Sequence, residues 1–325
     1  MNLVFLTHMA RSGSTLVARE LDRLEAVSVG IEESLPDGIV KGEEVLLESP
    51  EELDDYLERA WQDEKLAAWG VAPQALKKRL ITNHSFPLRF REILEELLGH
   101  YFNHESGGSG EYLVHKKGPY YLHVDRVREQ FPHARFIHID RDPRGIYNSQ
   151  KKARRSNSSR TMAEPLTTFA FQYLAAQHAI SRYQREPYFH VVCYEDFVKD
   201  PQRKLMRIQE LLGLQKLQAN EHGSYFERIP GGQHHLHKNL SKEVLPERAL
   251  SWKQELEASE LYFIQHALGK TLRRKGYETV GVKPGSLPCK MRVWPKLIWF
   301  YLKYSVKSHF PSLYALAGGK IYKRR

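Results

Sequence analysis

Two groups of residues in this 325-residue chain have types and spacings suited to gripping phosphate. The first is HMARSGSTLVAREL, His8 to Leu21, where Arg11, Ser12, Gly13, Ser14 and Thr15 stand between an apolar run and a helical pattern. Successive backbone N–H groups, a helix N-terminus, hydroxyls and an arginine make a seat for one compact dianion. A Walker loop would follow its second glycine with lysine. Here Gly13 is followed by Ser14 and Thr15 with no lysine, which counts against an Mg-bound triphosphate and so against a nucleotide or metabolite kinase. The second group is FIHIDRDPRGIYNSQ, in which a strand ends at Arg141 and Ser149 follows eight residues later. If a helix starts at Asp142, Ser149 lies about two turns along it and faces the same way as Arg141. An arginine fork and a hydroxyl then converge on one phosphate. An ion-paired Arg-Asp-Pro-Arg loop is the alternative reading of the same residues.

Positioning these groups requires strands that end beside one another. Leu3 to Thr7 reads as a first strand, and Val17, Leu21 and Leu24 recur at helical spacing after the loop. AVSVGI resembles a second strand, and EYLVHKK, ARFIHID and YFHVVCYE read as further buried strands, each leading into a polar turn and a helix. Ser49, Pro50 and Glu52 mark a helix start with a capping box, a helix is expected from Pro87 to Phe102, and another begins near Pro201. NHESGGSGE reads as a flexible insertion loop. This alternation predicts an α/β fold, a three-layer doubly wound parallel sheet whose ligands lie beyond the carboxyl ends of the strands. There is no internal repeat.

Composition narrows the partners. Forty-nine Lys and Arg against 39 Asp and Glu give a formal net charge of +10, with a sequence pI near 9.4, so anions are the expected ligands. Two cysteines, Cys193 and Cys289, fit neither a disulfide framework nor a zinc site and suggest a reducing compartment. No run reaches the roughly 20 apolar residues of a membrane span. The first strand is too short for a signal peptide's apolar region. The expected location is the cytoplasm, with peripheral membrane contact open.

Taken together, the two phosphate motifs resemble those of sulfotransferases that use 3′-phosphoadenosine 5′-phosphosulfate (PAPS). The likeness continues through YEDFVKDPQRKLMRIQELLGL, Tyr194 to Leu214, and LSWKQEL…LRRKGYE, so that it covers about residues 1 to 280. It implies a P-loop-like sulfotransferase fold over residues 1–285. Arg11, Ser12, Gly13, Ser14 and Thr15 would cradle the 5′-phosphosulfate, Arg141 and Ser149 would bind the 3′-phosphate, and Tyr194 would lie near the adenine. Lys117 precedes Arg141 by the interval of the catalytic lysine in the cytosolic and tyrosylprotein branches, which implies a charge-stabilising role, with Lys116 the alternative. Pro119 stands where the cytosolic branch has its histidine base. VGIEES is similar to the G-E-E-T segment of the tyrosylprotein branch and implies Glu32 as the base, with Glu33 and His84 as rivals. A segment folding over the donor would bring Lys238, Asn239 and Ser241 to its phosphates, and the nearby histidines are not read as a metal site. The implied co-substrate is PAPS with no metal, and the acceptor is a hydroxyl of a carbohydrate, a lipid-linked glycan or a small molecule.

Residues 286–325 lie beyond the likeness as a basic, aromatic C-terminal extension. Trp294, Trp299, Tyr301 and Tyr304 interleaved with lysines suit either an interfacial helix or packing against the main domain or a partner. Nucleic acid is not an expected partner, and no oligomeric state is implied. A catalytically silent anion-binding or membrane-associated protein on the same scaffold is the reading from a different class.

Overall fold

A computed structural model of the chain describes residues 2–33, 35–40, 42–105, 111–154, 160–214, 225, 227–229, 246–281 and 287–309. They fall into two compact units, one of Met1–Arg141 with Ala179–Ala249 and one of Asp142–His178 with Leu250–Arg325. In chain order the elements begin β1 (Asn2–His8), α1 (Ser14–Asp22), β2 (Val27–Gly30), β3 (Leu46–Leu47), α2 (Pro50–Ala60), α3 (Glu64–Ala67), α4 (Pro73–Asn83), β4 (Leu88–Arg89), α5 (Phe90–Glu105) and β5 (Tyr112–Lys116). They continue α6 (Val124–Gln130), β6 (Arg135–Asp140), α7 (Pro143–Lys152), α8 (Leu166–Tyr183), β7 (Phe189–Cys193), α9 (Tyr194–Lys199), α10 (Pro201–Leu212), α11 (Trp252–Glu255), α12 (Ala258–Ala267), α13 (Gly269–Arg274) and α14 (Leu287–His309).

The first unit is built on a five-stranded sheet of order β2-β5-β1-β6-β7. Every pairing in it is parallel, with β1 at the centre. Buried on both faces, these strands need no polar alternation, and Leu3 to His8 is buried without a break. Phe5 anchors the middle, its ring 5.2 Å from Tyr120, 5.6 Å from Phe136, 5.7 Å from His115 and 5.8 Å from Phe131. The chain moves outward from β1 to β2, then returns through β5 and passes β1 to reach β6. Because parallel crossovers keep a right-handed sense, that reversal sends connecting helices to both faces of the sheet. The doubly wound α/β expectation therefore holds.

Local chemistry accounts for the edges of several elements. Ser49 caps α2 by accepting the Glu52 N–H at 3.3 Å. The capping box expected of Glu52 is shifted, because its carboxylate accepts the N–H of Glu48 at 2.7 Å, one residue before the cap. The helix expected from Pro87 starts three residues later, at Phe90, because Leu88–Arg89 pair antiparallel with Leu46–Leu47 as a short ribbon. Two-residue strands of this kind leave no period-two signal in a sequence.

In the second unit, Asp142 caps α7 by accepting the Arg144 N–H at 2.9 Å, and Pro143 takes the first helical position. The Arg144 side chain folds back on Asp142, with Nε 2.9 Å from Oδ1 and Nη2 2.7 Å from Oδ2. It stacks 3.8 Å from the Trp252 ring centre and donates to the Gln265 side chain and the Glu278 carbonyl. Asp142 and Arg144 are thus an internal clamp, as the ion-paired reading foresaw. Within the residues read as an extension, α14 packs on α12. Replacing Arg144 with Met should destabilise the second unit by about 3–5 kcal/mol, since it strands a buried carboxylate. Arg144→Lys should recover little, because an ammonium can neither stack nor fork. Urea denaturation midpoints of the three proteins check both.

Candidate active site

Parallel strands bring their carboxyl ends to one edge, and the candidate groups of the first unit stand there. After β1 the chain turns back, with the Met9 carbonyl accepting the Ser12 N–H at 3.1 Å. Arg11 takes a left-handed backbone, φ 72°, and Gly13 another, φ 92°. Gly13 is required twice over, since a Cβ there would also sit 2.2 Å from the Tyr194 ring. Its carbonyl accepts from Leu16 and Val17 and so begins α1, whose N-terminus has no side-chain cap. The Ser12 Oγ is buried and has no hydrogen-bond partner among the described residues. An orphaned hydroxyl beside an uncapped helix start fits a bound anion.

Positive charge gathers around this turn. The Arg141 Nη1 donates to the Arg11 carbonyl at 3.0 Å, and its guanidinium lies 4.2 Å from the Tyr194 ring centre. Burial lowers the pKa of the Arg11 guanidinium, and the like charge of Arg141 lowers it further. Two guanidiniums repelling each other over one turn are an arrangement that a phosphate relieves.

Two lysines at the end of β5 point to opposite faces, as successive strand residues must. Lys116, paired with Leu6 of β1, places Nζ 3.1 Å from the Thr15 Oγ1. The lysine missing from the loop is thereby replaced in space by one from the neighbouring strand. The same Nζ lies 3.7 Å from the Glu32 carboxylate. Burial works to raise the Glu32 pKa, but Lys116, followed by His8, Lys65 and Lys117, outweighs it and brings the carboxyl down to about 2. Burial lowers the Lys116 pKa against the pull of Glu32.

Lys117 faces a closed polar cluster. Its Nζ is 2.7 Å from the Glu33 Oε1, 3.3 Å from the Glu33 carbonyl and 3.6 Å from Asp37. Tyr120 donates to Asp37 at 3.0 Å, and the His115 Nε2 lies 3.3 Å from Glu33. Burial would lower the Lys117 pKa, yet Glu33 and Asp37 raise it above the ordinary value, so it is a fixed cation. The Glu33 carboxyl, lifted by burial, is brought far below the carboxylate range by Lys117 and His115. The Glu33 side chain is 0% exposed, whereas that of Glu32 is 33% exposed and can be reached from solvent.

The remaining candidates separate cleanly. Tyr194 opens α9 directly after β7 and covers Gly13. Ser149 is the seventh residue of α7 and accepts, through its carbonyl, the N–H that ends that helix. His84 bridges α4 and α5 through Glu96 at 3.2 Å, a helix-pairing role. Lys238, Asn239 and Ser241 lie outside the described residues. Among the described residues no cluster of three or more His, Cys, Asp or Glu could hold a metal. Sequence reasoning undervalued Lys116 and passed over Asp37. The reach of Lys116 depends on β5 lying beside β1, which no local pattern reveals, and Asp37 sits in a segment without periodicity.

The sulfotransferase family model matches residues 4–218. No curated protein matches the chain. Among solved structures, the sulfotransferase domain of the curacin biosynthetic pathway superposes with a TM-score of 0.55 at 19% identity, covering 86% of this chain and 99% of that one. The sulfotransferase domain of the Synechococcus PCC 7002 olefin synthase gives 0.55 at 19% identity, covering 85% and 94%. Both are similar in fold, and the parallel sheet with its phosphate-type loop is a P-loop-like sulfotransferase fold.

The buried pair gives a pH-dependent prediction. A carboxyl whose folded pKa is depressed adds stability that is complete above its unfolded value, near 4.5, and is lost as pH falls below it. Glu33→Gln should cost about 3–5 kcal/mol at pH 7 by removing the nearer of the two carboxylates that compensate Lys117, leaving Asp37 at 3.6 Å. The gap between the two proteins should narrow steadily below about pH 5, as urea titrations at stepped pH would show.

Proposed function

The chain belongs to the sulfotransferase family, and from that premise we propose that it transfers the sulfuryl group of PAPS to a hydroxyl. The observation that carries the donor assignment is the turn without a Walker lysine, which holds the orphaned Ser12 Oγ and whose Thr15 hydroxyl is reached by Lys116 of β5. Arg11, Ser12, Gly13, Ser14 and Thr15 would hold the 5′-phosphosulfate, with Lys116 joining them. Arg141 and Ser149 would take the 3′-phosphate, and Lys238, Asn239 and Ser241 would close over the donor. Tyr194, already stacked on Arg141, would border the adenine.

Lys117 is assigned to charge stabilisation because Glu33 and Asp37 keep it protonated and fix its direction. Glu32 is assigned as the base on the strength of its exposure. A carboxylate with a pKa of about 2 is a poor proton acceptor, but Lys116 is the chief charge holding it there. An anionic donor beside Lys116 would offset that charge and restore basicity to Glu32. In the transfer itself the acceptor oxygen gives its proton to Glu32 and forms the new O–S bond, while the bond from sulfur to the donor's phosphate oxygen breaks. The reaction needs no metal, since lysine and arginine supply the positive charge. A carbohydrate, a lipid-linked glycan or a small molecule is the proposed acceptor class.

Calorimetry should show adenosine 3′,5′-bisphosphate binding at least about tenfold more tightly than AMP, the worth of one charge-assisted contact. Equal affinities would remove the donor assignment. In turnover assays with labelled donor, Lys117→Ala should lower kcat by about 100- to 1000-fold while changing donor affinity far less. Parallel losses in both would return Lys117 to a purely structural role.

A further inference from the structure

The net charge of the chain has one location. After Glu278 the sequence holds ten Lys and Arg and no Asp or Glu, and the 39 basic residues before that point equal the 39 acidic residues of the whole chain. The entire formal excess of +10 therefore belongs to residues 279–325, the stretch that contains α14.

The described part of α14 is apolar on two sides. One side, with Val293, Leu297 and Phe300, is buried. Phe300 packs 4.8 Å from the Phe171 ring and 6.0 Å from that of Phe263, and Tyr301 donates to the His266 carbonyl at 2.7 Å. The other side presents Trp294 (50% exposed), Ile298 (54%) and Leu302 (62%) to solvent. These three recur every fourth residue, so they form one stripe. With Trp299, Tyr301 and Tyr304 they make up six of the eleven exposed large apolar side chains among the described residues. Lys296 and Lys303 lie along one flank, and Lys303 rests 4.6 Å above the Trp299 ring.

We propose that α14 seats the protein on an anionic lipid surface, its Trp294–Ile298–Leu302 stripe entering the headgroup boundary while Lys296 and Lys303 contact lipid phosphates. A stripe of large aromatic and aliphatic groups flanked by lysines matches an interface that is apolar on one side and negatively charged on the other. Complementary charge selects this occupant: a concentration of ten cations with no anion repels a second copy of itself and draws in a phosphate-bearing plane. No helix among the described residues is long and apolar enough to cross a membrane, and a helix held along one side by Phe171 and Phe263 lies flat. Aromatic rings and lysine stems on such a helix place their apolar parts inward and their polar tips at the water boundary.

Co-sedimentation of the full chain with vesicles tests this. Vesicles of equal parts phosphatidylcholine and phosphatidylglycerol should retain at least about tenfold more protein than phosphatidylcholine alone, and added salt should reduce the difference. Trp294→Ser/Ile298→Ser/Leu302→Ser should abolish retention while leaving the melting temperature unchanged, because all three side chains are exposed. Lys296→Ala/Lys303→Ala should weaken it in part. Equal retention on neutral vesicles, or retention that survives the triple substitution, would overturn the proposal. So would absence of retention with a concentration-dependent dimer that the triple substitution dissolves, which would assign the stripe to a second copy. Retention is read without donor or acceptor, so it stands or falls apart from the proposed chemistry.

Discussion

The hydrogen-bonded register of β1 with its two neighbours decides where every candidate group of the first unit stands. Leu6 opposite Lys116 and His8 opposite Ile139 bring three strands to an end at nearly one level. The loop that follows β1 consequently opens between the lysines of β5 and Arg141 beyond β6. A slip of one residue in β5 would turn Lys116 away from Thr15 and carry Lys117 into its place, because side chains alternate between the two faces. The strands are buried on both faces, so such a slip would also misplace Phe5, His115 and Phe136, and the packing of the sheet protects the geometry of the site.

Adjacent residues on two segments then form two pairs of different character. Glu32 and Lys116 make a loose, partly exposed pair beside the loop, and Glu33 and Lys117 a tight, closed one. Low dielectric around the closed pair strengthens its attraction, and hydrogen bonds to the Glu33 carbonyl and between Tyr120 and Asp37 satisfy its surroundings. Its effect is to fasten the segment after β2 to the end of β5. Glu32 is carried on that fastened segment, so its separation from Lys116 is set by the neighbour it does not touch.

Much of the scaffold was legible because buried parallel strands are short, apolar and punctuated. Runs such as LVFLT and ARFIHID, each followed by a polar turn, located β1 and β6 to within a residue or two. The tight turn after β1 was legible through Gly13, whose backbone angle and contact with Tyr194 admit no other residue comfortably. What stayed hidden depends on contacts distant in sequence. The β3–β4 ribbon is too short to show a period, and the division of labour between Lys116 and Lys117 follows from sheet order. The Arg-Asp-Pro-Arg run was ambiguous for a different reason: its two arginines have different partners, and the structural role of Arg144 is set by Trp252 and Gln265, more than 100 residues away.

Charge is distributed along the chain in two different ways. Around the loop, Arg11, Lys116, Lys117 and Arg141 are set against Glu32, Glu33 and Asp37, so that an anion proposed to bind there would be recognised by placement of donors more than by net charge. Placement survives salt, since groups this close and this buried are poorly screened. After Glu278 the sequence is of the opposite kind: ten Lys and Arg stand with no Asp or Glu among them, a run whose field any phosphate-rich surface would satisfy. A field attracts without selecting, whereas a fixed set of donors selects without reaching far.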